Sequence, residues 1–129
     1  MNNNNNNNNN INNNNNNIQE RIIKCDGGMK HSIILTETGK VYTSGSNKFG
    51  ELGIGNDIIN DQIQFQLIDS KYFNNENIIQ ICSGLSHSMV LSENGNVYSW
   101  GINLKGQTGL KYVQYVYTPK QIPNEYFNN

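Results

Sequence analysis

A 56-residue internal repeat constrains this sequence more than any other feature. When the chain is shifted by 56 residues, 14 of the 32 positions from 22 to 53 match their partners. The matches include Ile22-Ile23 with Ile78-Ile79, Gly28 with Gly84, His31-Ser32 with His87-Ser88, Gly39 with Gly95, and Gly45, Gly50 and Gly53 with Gly101, Gly106 and Gly109. An ungapped match of this length indicates a duplicated structural unit, because each unit of a repeat protein is one motif that packs against its neighbours.

The match continues beyond residue 53 with a shorter offset. Residues 65–68 align with 119–122, and Tyr-Phe-Asn-Asn at 72–75 aligns with Tyr-Phe-Asn-Asn at 126–129. The loop after Gly53 is therefore two residues longer than the loop after Gly109. We expect two units, at about 18–75 and 76–129, with the sequence stopping where a third unit would begin.

Each unit is predicted to contain four short strands. In the first unit these are Ile22–Cys25, Ser32–Thr36, Lys40–Ser44 and Gln64–Ile68, and the fourth strand of the second unit is Lys120–Ile122. A hairpin between the second and third strands is indicated by Gly39 and by Asn94-Gly95, since these residues tolerate positive φ. Residues 33–35 and 89–91 are continuous apolar runs, which predict sheets that are covered on both faces. We therefore predict an all-β fold, with two four-stranded antiparallel blades of a partial β-propeller.

The repeated motif also carries a family resemblance. It begins as Gly-Met-Lys-His-Ser (28–32) and Gly-Leu-Ser-His-Ser (84–88), and it continues through Gly45–Gly53 and Gly101–Gly109. This pattern closely resembles the regulator of chromosome condensation repeat, the unit of a propeller with about seven blades. The sequence departs from that pattern at Thr108, where Leu is expected, at Phe65, where Pro is expected, and at Ser44, where Trp is usual. It also has two units where a closed ring needs about seven.

A polyasparagine tract precedes the repeats, with 15 Asn among residues 1–17. Such a tract has too little apolar surface to offset the entropy of ordering, so we expect residues 1–17 to be disordered. Asn tracts can also stack into cross-β ladders, which leaves self-association open.

Composition argues against several functional classes. The net charge is −1 and charged residues are only 15% of the chain, so the sequence offers no electrostatic support for binding nucleic acid or anionic membranes. No targeting signal or membrane-spanning apolar run is evident, which predicts an intracellular protein of the cytoplasm or the nucleus. Cys25 and Cys82 occupy different positions in the repeat, and we interpret them as reduced, buried thiols.

The residues that recur in both units are interpreted as structural. These are Gly28, His31, Gly39, Gly45, Gly50 and Gly53, with Gly84, His87, Gly95, Gly101, Gly106 and Gly109. His31 and His87 lie too far apart in adjacent blades to share a zinc ion, and each is expected to hydrogen-bond the backbone of its own turn. Substitution of either histidine is therefore expected to have a similar effect. The glycine-rich stretches lack the Gly-Lys-Ser/Thr of a phosphate loop, and Trp100 is expected in the core.

These observations predict no catalytic residues, no metal and no cofactor. The resemblance implies a non-enzymatic interaction or scaffold module with an unidentified protein partner, either a small GTPase or another propeller chain. Two alternatives remain open, a guanine-nucleotide exchange factor for a small GTPase and an incomplete propeller with no activity of its own. Two blades are expected to leave apolar residues of 33–35 and 89–91 exposed, which would favour self-association.

Overall fold

A computed structural model describes residues 18–127, which form two four-stranded antiparallel sheets. The first blade contains β1 (Ile22–Gly27), β2 (His31–Thr36), β3 (Val41–Gly45) and β4 (Gln62–Leu67). The second blade contains β5 (Ile78–Ser83), β6 (His87–Ser92), β7 (Val97–Ile102) and β8 (Tyr115–Gln121). In each sheet the spatial order follows the chain, which confirms the predicted all-β fold of two antiparallel blades. The expected disorder of the polyasparagine tract falls on residues 1–17, outside the described residues.

The strand register reproduces the two offsets of the sequence repeat. Ile34 pairs with Tyr42 in the first blade, as Val90 pairs with Tyr98 in the second, at an offset of 56. Tyr42 pairs with Leu67 and Tyr98 pairs with Gln121, at an offset of 54. The two extra residues of the first unit therefore lie in the loop between β3 and β4, as the alignment predicted.

The two blades pack against each other through different faces. Ile33, Leu35 and Val41 lie on one face of the first blade, because Leu35 pairs with Val41 and Ile33 lies two residues before Leu35. They belong to the same buried cluster as Val90, Tyr98, Trp100 and Val116 of the second blade. Burying a side chain of this size stabilises a fold by about 1.5–3 kcal/mol, so this single interface supplies much of the core.

A short connection joins the blades. It includes a 3-10 turn at Ser70–Phe73, which begins after Asp69, whose carboxylate accepts a hydrogen bond from Lys71 N at 3.0 Å. Phe73 is buried and packs edge-on against Tyr98, with ring centroids 5.5 Å apart. The Tyr98 hydroxyl donates a hydrogen bond to Phe73 O at 3.2 Å, which ties the connection to the second blade.

Three expectations about solvent exposure are wrong or only partly confirmed: exposed apolar residues at 33–35, exposed apolar residues at 89–91, and buried cysteines. Residues 33–35 are all buried: Ile33 and Leu35 face the second blade, and Ile34, on the opposite face of the sheet, is 6% exposed. At the equivalent positions Val90 is buried, whereas Met89 and Leu91 are only half-buried. Cys25 and Cys82 are free, but both are exposed rather than buried. Each lies in a strand at the edge of its sheet, β1 and β5, so it has neighbouring strands on one side only.

In the part of the chain described, the helical segments are short 3-10 turns at Ser70–Phe73 and Asn124–Tyr126. Within these residues, no helix has the length and apolar character that crossing a bilayer requires.

Candidate protein-binding surface

The recurring histidines do not behave alike. His31 is buried and its Nε2 lies 2.9 Å from Ser88 Oγ of the second blade. The expectation that each imidazole would bond the backbone of its own turn is therefore wrong for His31. His87 is half-buried, and residues 18–127 provide no hydrogen-bond partner for its side chain. Burial lowers the pKa of both imidazoles, and for His31 repulsion from His87 adds to the effect while Asp26 opposes it.

The recurring glycines lie where a larger residue would be strained or would clash. Eight of them, Gly39, Gly45, Gly50, Gly53, Gly95, Gly101, Gly106 and Gly109, adopt positive φ. Gly28 and Gly84 instead lie against imidazoles, since a Cβ on either would come within 2.3 Å or 2.1 Å of the Cε1 of His31 or His87. These residues shape the turns and the interface between the blades.

Trp100 joins the two blades from within the core. Its ring is fully buried, and its Nε1 donates a hydrogen bond to Glu51 O of the first blade at 2.8 Å. Gly53 makes room for the indole, because a Cβ there would lie 2.9 Å from Trp100 Nε1. Trp100 therefore acts as a structural bridge, in agreement with its predicted place in the core.

Within residues 18–127, no three side chains of His, Cys, Asp or Glu lie close enough together to hold a metal ion. The exposed loops are therefore the remaining place for a functional surface. In the first blade, the β1–β2 turn and the β3–β4 loop lie at the same edge, because His31 at the start of β2 pairs with Gly45 at the end of β3. His87 pairs with Gly101 in the same way. We refer to this side of the molecule as the loop edge.

Apolar side chains project from the loop edge into solvent. Met29 is exposed in the β1–β2 turn, and Leu85 is exposed in the equivalent β5–β6 turn. Met29 N donates a hydrogen bond to Leu85 O at 2.9 Å, which holds the two turns together. The long loops add further exposed residues, which are Ile58, Ile59, Leu104, Tyr112 and Val113. A concentration of exposed apolar residues of this kind is typical of a surface that contacts another protein.

Two buried asparagines hold the long loops in place. Asn47 accepts a hydrogen bond from Leu52 N at 3.1 Å and donates to Ile58 O at the loop tip. Asn103 accepts from Thr108 N at 3.0 Å and donates to Val113 O at 2.7 Å and to Leu110 O at 2.8 Å. The exposed side chains beside Ile58 and Val113 are thus carried by an ordered backbone, which lowers the entropy lost on binding.

An aromatic row supports the same edge. Phe49 stacks on Tyr115 with ring centroids 5.7 Å apart, and Tyr115 lies 6.4 Å from Tyr117. Lys48 lies over the Phe49 ring at 5.4 Å. The first loop is also anchored to the second blade, since Gly55 N donates to Tyr117 O at 2.9 Å. The first long loop is therefore joined to β8, the strand that follows the second long loop.

The opposite edge of the blades carries a groove of about 530 Å³ between the β2–β3 turn and the interblade connection. Three of its apolar side chains, Val41, Ile68 and Phe73, are already buried in the core, whereas Leu67 is 50% exposed. Leu67 is the one exposed large apolar side chain that lines it, against seven on the loop edge, so the loop edge is the stronger candidate.

Sequence reasoning missed the exposed loop residues. The adjacent pair Ile58-Ile59 lies in a segment between strands, where Gly, Asn and Asp signal a loop. Such an apolar pair at a loop tip could have indicated a contact surface. The role of Asn47 and Asn103 was also missed, although both recur at the same position of the repeat.

The repeat matches known family models and curated proteins. Residues 23–51 and 78–107 match one family model described as the regulator of chromosome condensation (RCC1) repeat, and residues 38–91 match a second model of that description. The ultraviolet-B receptor of Arabidopsis thaliana is 33% identical over 89 residues, covering 69% of this chain and 19% of the receptor. The X-linked retinitis pigmentosa GTPase regulator of Canis lupus familiaris is 38% identical over 95 residues, covering 74% of this chain and 9% of the regulator.

Solved structures show the same fold. Yeast RCC1 (Prp20), in a crystal structure with Kap60, superimposes with a TM-score of 0.75 at 23% identity, over 84% of this chain and 26% of that one. The chain thus spans at most about a fifth of the curated relatives named above.

Proposed function

Because the chain belongs to the regulator of chromosome condensation repeat family, we propose that it is a non-enzymatic protein-binding module that binds its partner through the loop edge. The observation that carries this proposal is the pair of exposed apolar loop tips, Ile58-Ile59 and Tyr112-Val113, each held by a buried asparagine. A partner of matching chemistry would present an apolar patch, with carboxylates placed to meet Lys30 and Lys48 at its rim.

The relatives support a protein partner in general terms. One solved relative is bound to another protein, Kap60, and one sequence relative is named as a GTPase regulator. The chain covers about a tenth of that regulator, so a role on a GTPase comes to this protein only as a second candidate. An incomplete propeller without independent activity is the third possibility, and it predicts no specific partner at all.

The described contacts also motivate proposals about organisation and location. The two units meet in the connection that contains Asn74 and Asn75, and we assign residues 18–75 and 76–129 to them. Cys25 and Cys82 are free and exposed, which favours a reducing compartment and hence the interior of the cell.

Affinity purification with the complete 129-residue chain tests the proposed surface. Ile59→Asp and Tyr112→Asp place a charge at each loop tip and should remove the specifically bound protein. Phe127→Asp is the control, because Phe127 is about as exposed as Ile59 but follows β8 at the opposite edge. A partner that remains bound to both loop variants and is lost from the control would show that the loop edge is the wrong surface.

An exchange assay separates the second candidate from the first. Release of a fluorescent guanine nucleotide from small GTPases is measured with and without the chain. The binding-module proposal expects no acceleration, whereas a rise of tenfold or more that Ile59→Asp removes would establish exchange activity at this surface. If neither assay detects a partner for the folded chain, the proposal of a self-sufficient binding module fails.

A further inference from the structure

Each blade has two chemically different faces. We define the forward face as the one that bears Ile33, Leu35 and Val41 in the first blade, and the rear face as the one that bears Val90 and Tyr98 in the second. Within the chain, the forward face of the first blade packs against the rear face of the second. The forward face of the second blade and the rear face of the first therefore have no neighbouring blade among residues 18–127.

These two open faces carry the repeat counterparts of the residues that form the internal interface. On the forward face of the second blade, Met89 and Leu91 occupy the positions of Ile33 and Leu35 and line a shallow groove of about 160 Å³ together with Val97. On the rear face of the first blade, Ile34 and Tyr42 occupy the positions of Val90 and Tyr98. The apolar chemistry of the internal interface is thus present on both open faces.

The exposure of equivalent residues in the two blades differs where no neighbouring blade covers the face. Ile78 in β5 is 2% exposed, whereas Ile22 at the equivalent position of β1 is 48% exposed. On the forward side, Leu35 is fully buried and Leu91 is only half-buried. At these two pairs of positions the side chain is covered when a blade lies beside it and more exposed when none does, whereas Ile34 on the open rear face is only 6% exposed.

The hydrogen bond across the interface has an equivalent pair of residues, one on each open face, that lack this bond. His31 on a forward face binds Ser88 on a rear face, with 2.9 Å between Nε2 and Oγ. The equivalent residues are His87, on the open forward face, and Ser32, on the open rear face. Ser32 is exposed, and residues 18–127 supply no hydrogen-bond partner for either side chain.

We propose that a second copy of this chain docks its rear face, on the first blade, against the forward face of the second blade, and that His87 binds Ser32 of the incoming copy. The contact is head-to-tail, so it joins two different surfaces and generates either a closed ring or an open chain of copies. It is independent of partner binding at the loop edge, which uses neither face.

The copy-to-copy contact is weaker than the internal one, for reasons visible at two positions. Ser44 stands where Trp100 lies in the second blade, so the hydrogen bond from an indole to the loop backbone is lost. Cys82 stands where Asp26 lies in the first blade, so no carboxylate accepts from a backbone N–H as Asp26 does from Ser83 N at 2.8 Å. Assembly should therefore depend on protein concentration.

The two native cysteines provide a direct test, since one lies on each open face. Cys25 pairs with Ile34 on the rear face, and Cys82 pairs with Met89 on the forward face. The rate of reaction with a maleimide is measured on Cys25→Ser and Cys82→Ser over a range of concentrations, alongside sedimentation equilibrium. We expect both thiols to become protected, at least fivefold, as the copies assemble. Protection of one thiol only would indicate a symmetric contact and would overturn the proposal.

Charge substitutions test the pairing of the two faces. Leu91→Arg blocks the forward face and Ile22→Arg blocks the rear face, so each variant alone should sediment as a monomer. An equimolar mixture should form a dimer and nothing larger, because one variant keeps an open rear face and the other an open forward face. Glu125→Arg, at an exposed position whose counterpart Lys71 has its side-chain contacts, to Asp69 and Tyr72, within its own unit, should assemble as the native chain does.

Circular dichroism establishes that each variant is folded. If Leu91→Arg or Ile22→Arg unfolds, Ser32→Ala and His87→Asn replace them, each raising the concentration needed for half-assembly about fivefold. A native chain that remains monomeric at all concentrations overturns the proposal. Assembly that survives the double variant of Ile22 and Leu91 does so as well, because that result assigns self-association to the asparagine tract.

Discussion

His31 and Ser88 form a 2.9 Å hydrogen bond across the blade interface, although they are 57 residues apart and the repeat length is 56. The one-residue difference has a simple origin. Adjacent residues of a strand point to opposite faces, so the His and the Ser of each His-Ser pair serve two different interfaces. His31 contacts the blade that follows, while Ser88 contacts the blade that precedes.

This arrangement predicts that the two histidines differ in their effect on stability. His31→Ala leaves Ser88 without its buried partner and should reduce the free energy of unfolding by about 1–3 kcal/mol. His87→Ala removes a half-buried ring with no partner among residues 18–127 and should cost clearly less. Denaturant titration at low protein concentration, where copies do not associate, measures both. Equal losses would contradict the assigned role of the His31–Ser88 bond.

Stability should also fall in mildly acidic solution. Burial lowers the pKa of His31 and of His87 in the folded chain below the ordinary value of 6.5. The unfolded chain therefore binds protons first as the pH drops below about 6.5, so the free energy of unfolding decreases from there toward the folded-state pKa values and is unaffected above that range. Thermal melts between pH 8 and pH 5 test this.

His31→Gln serves as the control for the pH effect and should flatten the slope. The carboxyl of Glu20 acts in a different window, because its hydrogen bond from Lys40 lowers its pKa to about 2 and its contribution is lost only below the ordinary 4.5. A stability that is independent of pH between 7 and 5 would argue against a neutral, buried His31.

Two adjacent glycines provide a matched test of the interface. A Cβ on Gly28 would lie 2.5 Å from Gly84 O and 2.3 Å from His31 Cε1, so Gly28→Ala must push the blades or the ring apart. We expect a loss of about 1–3 kcal/mol. At Gly27 the nearest atom would be His31 O at 3.5 Å, an ordinary contact, and the backbone does not require glycine. Gly27→Ala should therefore be neutral or stabilise by about 0.4–1 kcal/mol.

Trp100 should report the separation of the blades. It is the single tryptophan of the chain, it is fully buried, and it bonds the backbone of the other blade. Because the interface is shared, we expect the blades to unfold together, with the change in tryptophan fluorescence and the loss of far-ultraviolet dichroism at the same denaturant concentration. If the fluorescence changed first, the blades would be separate folding units.

Much of the fold followed from the repeat, whereas strand ends and interface partners did not. The hairpins at Gly39 and Gly95 were predictable because turn chemistry is local. The long β8 was missed because Pro119 suggests a strand end, but β8 is an edge strand, where a missing N–H is tolerated. The exposed cysteines were missed for a similar reason, since Cys is usually buried and the sequence does not reveal which strands lie at a sheet edge.

The candidate surface was even less accessible from sequence. Nothing local distinguishes Asn47 as a loop anchor, because its partners, Leu52 and Ile58, depend on the path of a loop with no periodic pattern. The His31–Ser88 contact was missed because it depends on the stagger between sheets, which the spacing within one unit does not contain.

The difference between Trp100 and Ser44 fixes the order in which the two units can be joined. In the native order the indole faces inward, over Gly53, and the small hydroxymethyl group faces outward. A circularly permuted chain with the second unit first would present Ser44 to the loop at residues 107–109 and would leave the indole on an open sheet. The duplicated units are therefore not interchangeable modules, and shuffling them by recombination would retain every strand while discarding the hydrogen bond from Trp100 to Glu51 between the blades.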